Sequence, residues 1–185
     1  MSPPTPAIIL VSPAVELVTQ EKGLLALANL LSAGRGSAAG AIHRLNRQMG
    51  KLYGPPLKNG MTRTVFTNRE VVYKVPCAGA RHGGLTLKSC IEANLIESPL
   101  NTRPYSLPLA SRKLVWHRSG IPIVVMEVLR TDLELDSLPS WSLEESIDGQ
   151  QVGMRMATGE YVIYDGGCRE APTPDWIDDL LAGFE

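Results

Sequence analysis

The sequence predicts an α+β domain: an antiparallel sheet with one helix set into its strand order, preceded by a helical element. Three observations carry this. Apolar residues recur at helical spacing up to about Tyr53 and at strand spacing from Met61 onward. Strand-forming segments come in pairs about short polar turns, 62–67 with 71–75 and 151–156 with 160–164. A single stretch with apolar residues four apart, 86–97, separates the first pair from the next strands.

The elements follow in order. Residues 13–31 read as a helix, with Ser12 as cap, Pro13 in the first turn and Glu16 near the favourable end. Leu17, Leu24, Leu27, Leu30 and Leu31 make its apolar stripe, and Gly23 is a weak point. After a loop at 33–37, Ser37 can cap a second helix reaching Tyr53, with Ile42, Leu45, Met49 and Leu52 on one side. Gly54-Pro55-Pro56 stops it. Thr62, Thr64, Val65, Phe66 and Thr67 favour a strand, Asn68-Arg69 a turn, and 71–75 the returning strand. Residues 79–84 are a loop. Leu87, Ile91 and Leu95 line the helix at 86–97, which Ser98-Pro99 ends. Strands are expected at 107–116 and 121–129, joined near Ser119-Gly120. The acidic stretch 131–146 reads as one short helix or two turns. The hairpin 151–164 turns at Ala157-Thr158-Gly159. Pro174-Asp175 opens a last helix carrying Trp176, Ile177, Leu180 and Leu181. The change of period divides the chain into a helical element, 1–58, and a core, 59–185.

Composition excludes several classes. At 185 residues, 44% hydrophobic and 20% charged, the chain can bury an ordinary core. A net charge of -1 gives no global field for nucleic acid or an anionic membrane, so nucleic acid is a disfavoured partner. Cys77, Cys90 and Cys168 form no metal pattern, and a sparse odd set points to reduced thiols in the cytoplasm. His43, His82 and His117 share no ligand spacing and read as surface or loop residues. No basic region precedes the short apolar run at 7–11, and no stretch reaches the ~20 apolar residues of a membrane span. The expectation is a cytoplasmic protein with no membrane partner.

Four segments carry the candidate chemistry. Val71-Val72-Tyr73-Lys74-Val75-Pro76 is a strand with one lysine. Glu92 and Glu97 lie on the following helix. An apolar strand ends Met126-Glu127-Val128-Leu129, and a hairpin ends Tyr164-Asp165-Gly166-Gly167. In this order they resemble the ATP-site parts of the protein-kinase-like fold, over roughly 59–129 and 150–167. The resemblance implies a sheet like a kinase small lobe. It implies that Lys74 holds nucleotide phosphates and that Glu92 or Glu97 pairs with it, Glu92 being preferred as nearer mid-helix. It further implies that the strand around Glu127 meets the adenine edge and that Asp165 ligates magnesium. ATP and magnesium are thus the implied cofactors. Taken singly, Asp165-Gly166 also suits an ordinary turn, and the strand at Glu127 a plain buried strand.

The departures from that pattern shape the functional expectation. Only Gly60 remains of the glycine-rich phosphate loop, before Met61-Thr62-Arg63. No His-Arg-Asp is present, and Asp132 stands too close to the hinge segment to replace it. Asp148, Gln150 and Gln151 are weak substitutes for the asparagine that holds a second metal. Phosphoryl transfer depends on positioning, and most positioning parts are missing. The expectation is a non-catalytic kinase-like accessory protein that binds another macromolecule, a protein. In style it is similar to the small proteins by which phages and mobile elements modulate a host target. The alternative is a minimal ATP-dependent phosphotransferase acting on a small substrate. A run without acids, Arg35, Arg44, Arg47, Lys51 and Lys58, makes Arg44, Arg47 and Lys51 the candidate partner-binding residues.

Overall fold

The computed structural model describes residues 15–78, 86–97, 108–145, 151–165 and 175–182. Six strands form one antiparallel sheet: β1 (Leu17–Val18), β2 (Lys58–Asn59), β3 (Arg63–Thr67), β4 (Val71–Pro76), β5 (Arg112–His117) and β6 (Pro122–Glu127), in the spatial order β1-β5-β6-β4-β3-β2. The helices are α1 (Gln20–Ser32), α2 (Arg35–Tyr53), α3 (Leu87–Glu97), α4 (Ser140–Glu145) and α5 (Asp175–Leu181). A separate hairpin pairs β7 (Val152–Met154) with β8 (Tyr161–Ile163). The fold is α+β with N-terminal helices. The acidic stretch forms a 3-10 turn, Leu135–Ser137, and α4. The loop at 79–84 and the stop at Ser98-Pro99 lie outside the described residues, as do Ser12 and Pro13.

The β3–β4 hairpin sets the geometry of the site. Asn68 Oδ1 accepts hydrogen bonds from the backbone N–H of Glu70 (3.0 Å) and of Val71 (2.8 Å), which bends the chain at the expected place. Lys74 then stands opposite Val65, and Arg63 opposite Pro76. Side chains alternate along a strand, so Arg63, two residues before Val65, shares a sheet face with Lys74. Val71, Tyr73 and Val75 point the other way, into the main core.

The N-terminal helices depart from expectation at their starts. Leu17 and Val18 are strand residues, paired with His117 and Trp116 on the sheet edge, and α1 begins only at Gln20. The edge of β5 offers backbone partners that a longer helix would leave unpaired. Glu16 pairs with Arg118 at 2.6 Å instead of serving a helix end. Gly23 does not break α1. A Cβ there would lie 2.3 Å from the Trp116 ring, so the absent side chain is what lets helix and sheet meet. Gly120, at φ 82, turns β5 into β6 and lies directly against the α1 backbone. The second helix starts at Arg35, with Gly34 before it; Ser37 Oγ bonds back to Ala33 O at 3.1 Å.

One hydrophobic cluster joins Leu27 of α1 and Ile42, Leu45 and Met49 of α2 to Phe66, Tyr73, Ile91, Leu95, Ile123 and Val125, with Ile177 and Leu181 of α5. It runs across the change of period at residue 58. Lys58 itself belongs to the sheet, in a strand that sequence reasoning did not anticipate. On the other face a smaller cluster, Ala110, Met126 and Val162 with Val72, Leu129 and Tyr164, holds the β7–β8 hairpin. Two histidines differ from each other. His43 is exposed, as expected, whereas His117 is buried in β5 with Nδ1 2.7 Å from Ser119 Oγ. Burial, aided by Arg118 and opposed by Glu16, holds the His117 pKa below its ordinary value. His82 lies outside the described residues. Among those residues, no helix is long and apolar enough to cross a membrane.

Candidate functional site: a buried cluster of four charges

The strand face that carries Lys74 also carries Arg63, and two carboxylates converge on the pair. Glu97, fully buried at the end of α3, gives Oε1 to Lys74 Nζ and Oε2 to Arg63 Nη1. Arg63 Nη2 donates to Asp165 Oδ1 at 2.6 Å. Lys74 Nζ also donates to the Tyr164 carbonyl at 2.6 Å and lies 5.9 Å from the centre of the Tyr164 ring. The side chains of Arg63 and Lys74 are 9% and 6% exposed, that of Asp165 28%. Two cations thus meet two anions with little water between them. Buried charges persist only when paired in this way.

Local structure explains how each group arrives. Asn94 stands three residues before Glu97, on the same side of α3. Its Nδ2 donates to Lys74 O (2.8 Å) and Pro122 O (2.9 Å), fixing the helix to β4 and β6. The helix end is thereby held where Glu97 can reach the Lys74 ammonium. Asp165 arrives two residues after β8, beside Tyr164. Burial raises the Asp165 pKa, but the opposing charges of Arg63, Lys74 and Lys58 and the Arg63 hydrogen bond outweigh it. The net result is a pKa below the usual carboxylate range.

A second cluster fastens the hairpin nearby. Glu127, at the end of β6, accepts from Ser111 N at 2.5 Å and from Arg155 Nε at 3.0 Å. Arg155 also donates to Leu109 O at 3.0 Å and pairs with Glu160. The following backbone is paired too, with Arg130 and Met154 exchanging hydrogen bonds of 2.9 Å. A Cβ on Gly153 would lie 2.9 Å from Leu129, so the hairpin presses closely on this segment.

The residues singled out from sequence therefore divide. Lys74 and Asp165 belong to one cluster. The helix glutamate that joins them is Glu97, not the preferred Glu92, which is half-buried farther back on α3. Five residues turn a helix by about 140° beyond one full circle, so the two glutamates face different ways. Glu127 is engaged through its side chain with Arg155. Asp132 pairs with Arg130 at 3.1 Å, Gln151 begins the hairpin segment, and Asp148, Gln150 and Gly166-Gly167 lie outside the described residues. Arg44, Arg47 and Lys51 are exposed on α2, away from the cluster. Arg63 and Asn94 were missed as site residues. Arg63 reads in the sequence only as a departure from the glycine-rich loop, although strand alternation could have placed it beside Lys74.

The cluster as arranged does not fit a magnesium ion. Glu97 gives both oxygens to cations and Asp165 gives Oδ1 to Arg63. Among the described residues, no group of three or more His, Cys, Asp or Glu side chains could hold a metal. Cysteine chemistry is also poorly served: Cys77 and Cys90 are buried, and burial pushes the Cys90 thiol up to about 11. No family model matches the chain, and neither the curated proteins nor the solved structures contain a significant match.

Proposed function

We propose that the chain is a kinase-like protein without phosphotransfer activity, which works by binding another macromolecule. Arg63 is the observation that carries this reading. Its guanidinium stands between Glu97 and Asp165, and arginine stays charged at any ordinary pH. The lysine and aspartate that a kinase-like site would turn toward phosphate and magnesium are here balanced from within the chain. The order strand, strand, helix, strand, strand, with a strand lysine meeting a helix glutamate, supports the kinase-like part. The same convergence of Lys74, Glu97 and Asp165 favours the second reading, a minimal phosphotransferase for a small substrate.

Magnesium-ATP separates the two. A ligand at about a hundred times its Kd stabilises a protein by about 2.7 kcal/mol, a readily measured rise in melting temperature. The non-catalytic reading expects no rise at millimolar nucleotide and no release or transfer of the γ-phosphate. A saturable rise, abolished in both Lys74→Met and Asp165→Asn, would establish the phosphotransferase reading instead.

A further inference from the structure

Charge is segregated along this chain far more than its net value suggests. Residues 22–69 contain eight Lys and Arg and no Asp or Glu, while residues 70–185 contain ten Lys and Arg and seventeen Asp and Glu. The basic segment comprises most of α1, all of α2 and strands β2 and β3. Arg44, Arg47 and Lys51 are exposed on α2 at spacings of three and four residues, which put them on one side over roughly two turns. Arg35 occupies the first helical position of α2, where the helix dipole disfavours a cation, and no acid stands in that turn. The helix dipole favours Lys51, in the last turn, but it does not account for Arg35.

The sheet edge beside α2 continues the surface. Asn46 of α2 donates to Pro76 O at 2.9 Å, and Tyr53 stacks on Tyr73 with ring centres 4.9 Å apart, so α2 runs along the β3–β4 pair. Strand β2 runs back along β3, with Lys58 opposite Val65 and Gly60 N bonded to Arg63 O at 2.8 Å. Lys58 is exposed, but it shares the sheet face of Val65 and Lys74, toward Asp165 and away from α2. Leu57, at 64%, and Met61, at 60%, are exposed at the same edge. Leu52, next to Lys51, is exposed as well. Leu57, which by alternation from Lys58 points to the α2 side of the sheet, and Leu52 thus set exposed apolar side chains beside the cations of α2.

We infer that this surface, Arg44, Arg47 and Lys51 of α2 with Leu52 beside them and Leu57 and Met61 at the β2 edge, docks an acidic protein segment that also carries apolar side chains. Carboxylates match the cations, and leucine-like side chains match Leu57 and Met61. A nucleic acid fits less well. A polyanion longer than this surface meets the acidic remainder of the chain, and phosphates gain nothing from exposed leucine and methionine. The inference rests on the proposal that the chain acts by binding a macromolecule.

The test titrates the full chain with three labelled probes of equal charge, at low and at physiological salt. They are a short soluble peptide of glutamate and leucine, the same peptide with serine for leucine, and a single-stranded oligonucleotide. The leucine-containing peptide is expected to bind tightest. Arg44→Glu with Arg47→Glu should weaken it about tenfold or more and flatten its salt dependence. Leu57→Ser with Met61→Ser should reduce its affinity to that of the serine peptide. All four positions are exposed, and circular dichroism verifies the fold of each variant; Arg44→Gln with Arg47→Gln serves if the charge reversal unfolds the chain. Tightest binding of the oligonucleotide, or indifference of peptide binding to the arginine pair, overturns the inference. Magnesium-ATP binding by the same preparation would instead sink the non-catalytic reading, whatever the peptides do.

Discussion

Two ionic clusters join the sheet to the segment that contains the β7–β8 hairpin, and they differ in how much water reaches them. In the first, Arg63, Lys74 and Glu97 meet almost wholly out of solvent, with Asp165, 28% exposed, at the rim. In the second, Arg155 binds Glu127 and Glu160 where its side chain is 21% exposed and that of Glu160 48%. Geometry alone would rank them alike, since each has one arginine bridging two carboxylates. Burial ranks them apart. A charge whose partner is lost near the surface is rehydrated, whereas one lost in the interior leaves its counterpart stranded. The inner cluster is therefore the one whose balance the fold depends on, and the outer one fastens a hairpin.

The sharpest way to break that comparison is Glu97→Gln. It keeps the shape of the side chain and leaves two buried cations, Arg63 and Lys74, facing the single carboxylate of Asp165. Stability should fall by about 3–5 kcal/mol, a drop in melting temperature on the order of 10 °C. Chemical denaturation measures it, and a loss below about 1 kcal/mol would show that water enters the cluster freely.

Acid titration tests the same cluster from another side. The Asp165 pKa is lower folded than unfolded, so the unfolded chain binds its proton first as pH falls. Its contribution is therefore complete above the ordinary aspartate value of about 3.9 and disappears as pH drops through the lower folded value. Melting curves of Asp165→Asn should run flatter with pH below about 4 than those of the parent. Parallel curves would mean that Arg63 and Lys74 do not hold the carboxylate.

The outer cluster should yield less. Arg155→Met, which retains the aliphatic stem, is expected to cost about 1–2 kcal/mol through the lost hydrogen bonds to Glu127 and Leu109 O. Limited proteolysis should then cut within the hairpin before the sheet. A cost equal to that of Glu97→Gln would erase the distinction between the clusters. Smallest of all should be Glu16→Gln. Its pair with Arg118 is more than half exposed on both sides, so the change should stay below about 0.5 kcal/mol and vanish at high salt.

The contrast also shows which parts of the site a reader of the sequence could find. Lys74 stands out because a lone lysine amid Val71, Val72, Tyr73 and Val75 is costly unless paired. Asp165 stands out because it closes an apolar hairpin. The choice between Glu92 and Glu97 depends on the phase of α3 against the sheet, and mid-helix position is no guide to phase. Arg63 was within reach of strand parity. Counting outward from the Asn68-Arg69 turn puts Arg63 and Lys74 on the same face, even with the turn displaced by one residue on each side. Its environment conceals it, because an arginine between Thr62 and Thr64 looks solvated. Asn94 gave no signal at all, since an asparagine bonding two carbonyls reads like any helix asparagine.

By itself the sequence determined the α+β class, the β3–β4 and β7–β8 hairpins and the body of each principal helix. Those features follow from local periodicity and turn chemistry, which act within a few residues. Only the tertiary structure decided that residues 17–18 join the sheet edge, that Gly23 admits Trp116, and that Glu97 and Arg63 complete the charge cluster. Each of these depends on groups far apart in the chain: Arg63 and Asp165 are brought to 2.6 Å across 102 positions of sequence separation. Periodicity can say which face a side chain takes, but which partner waits on that face is settled when helix, sheet and hairpin pack and every buried charge must find its opposite.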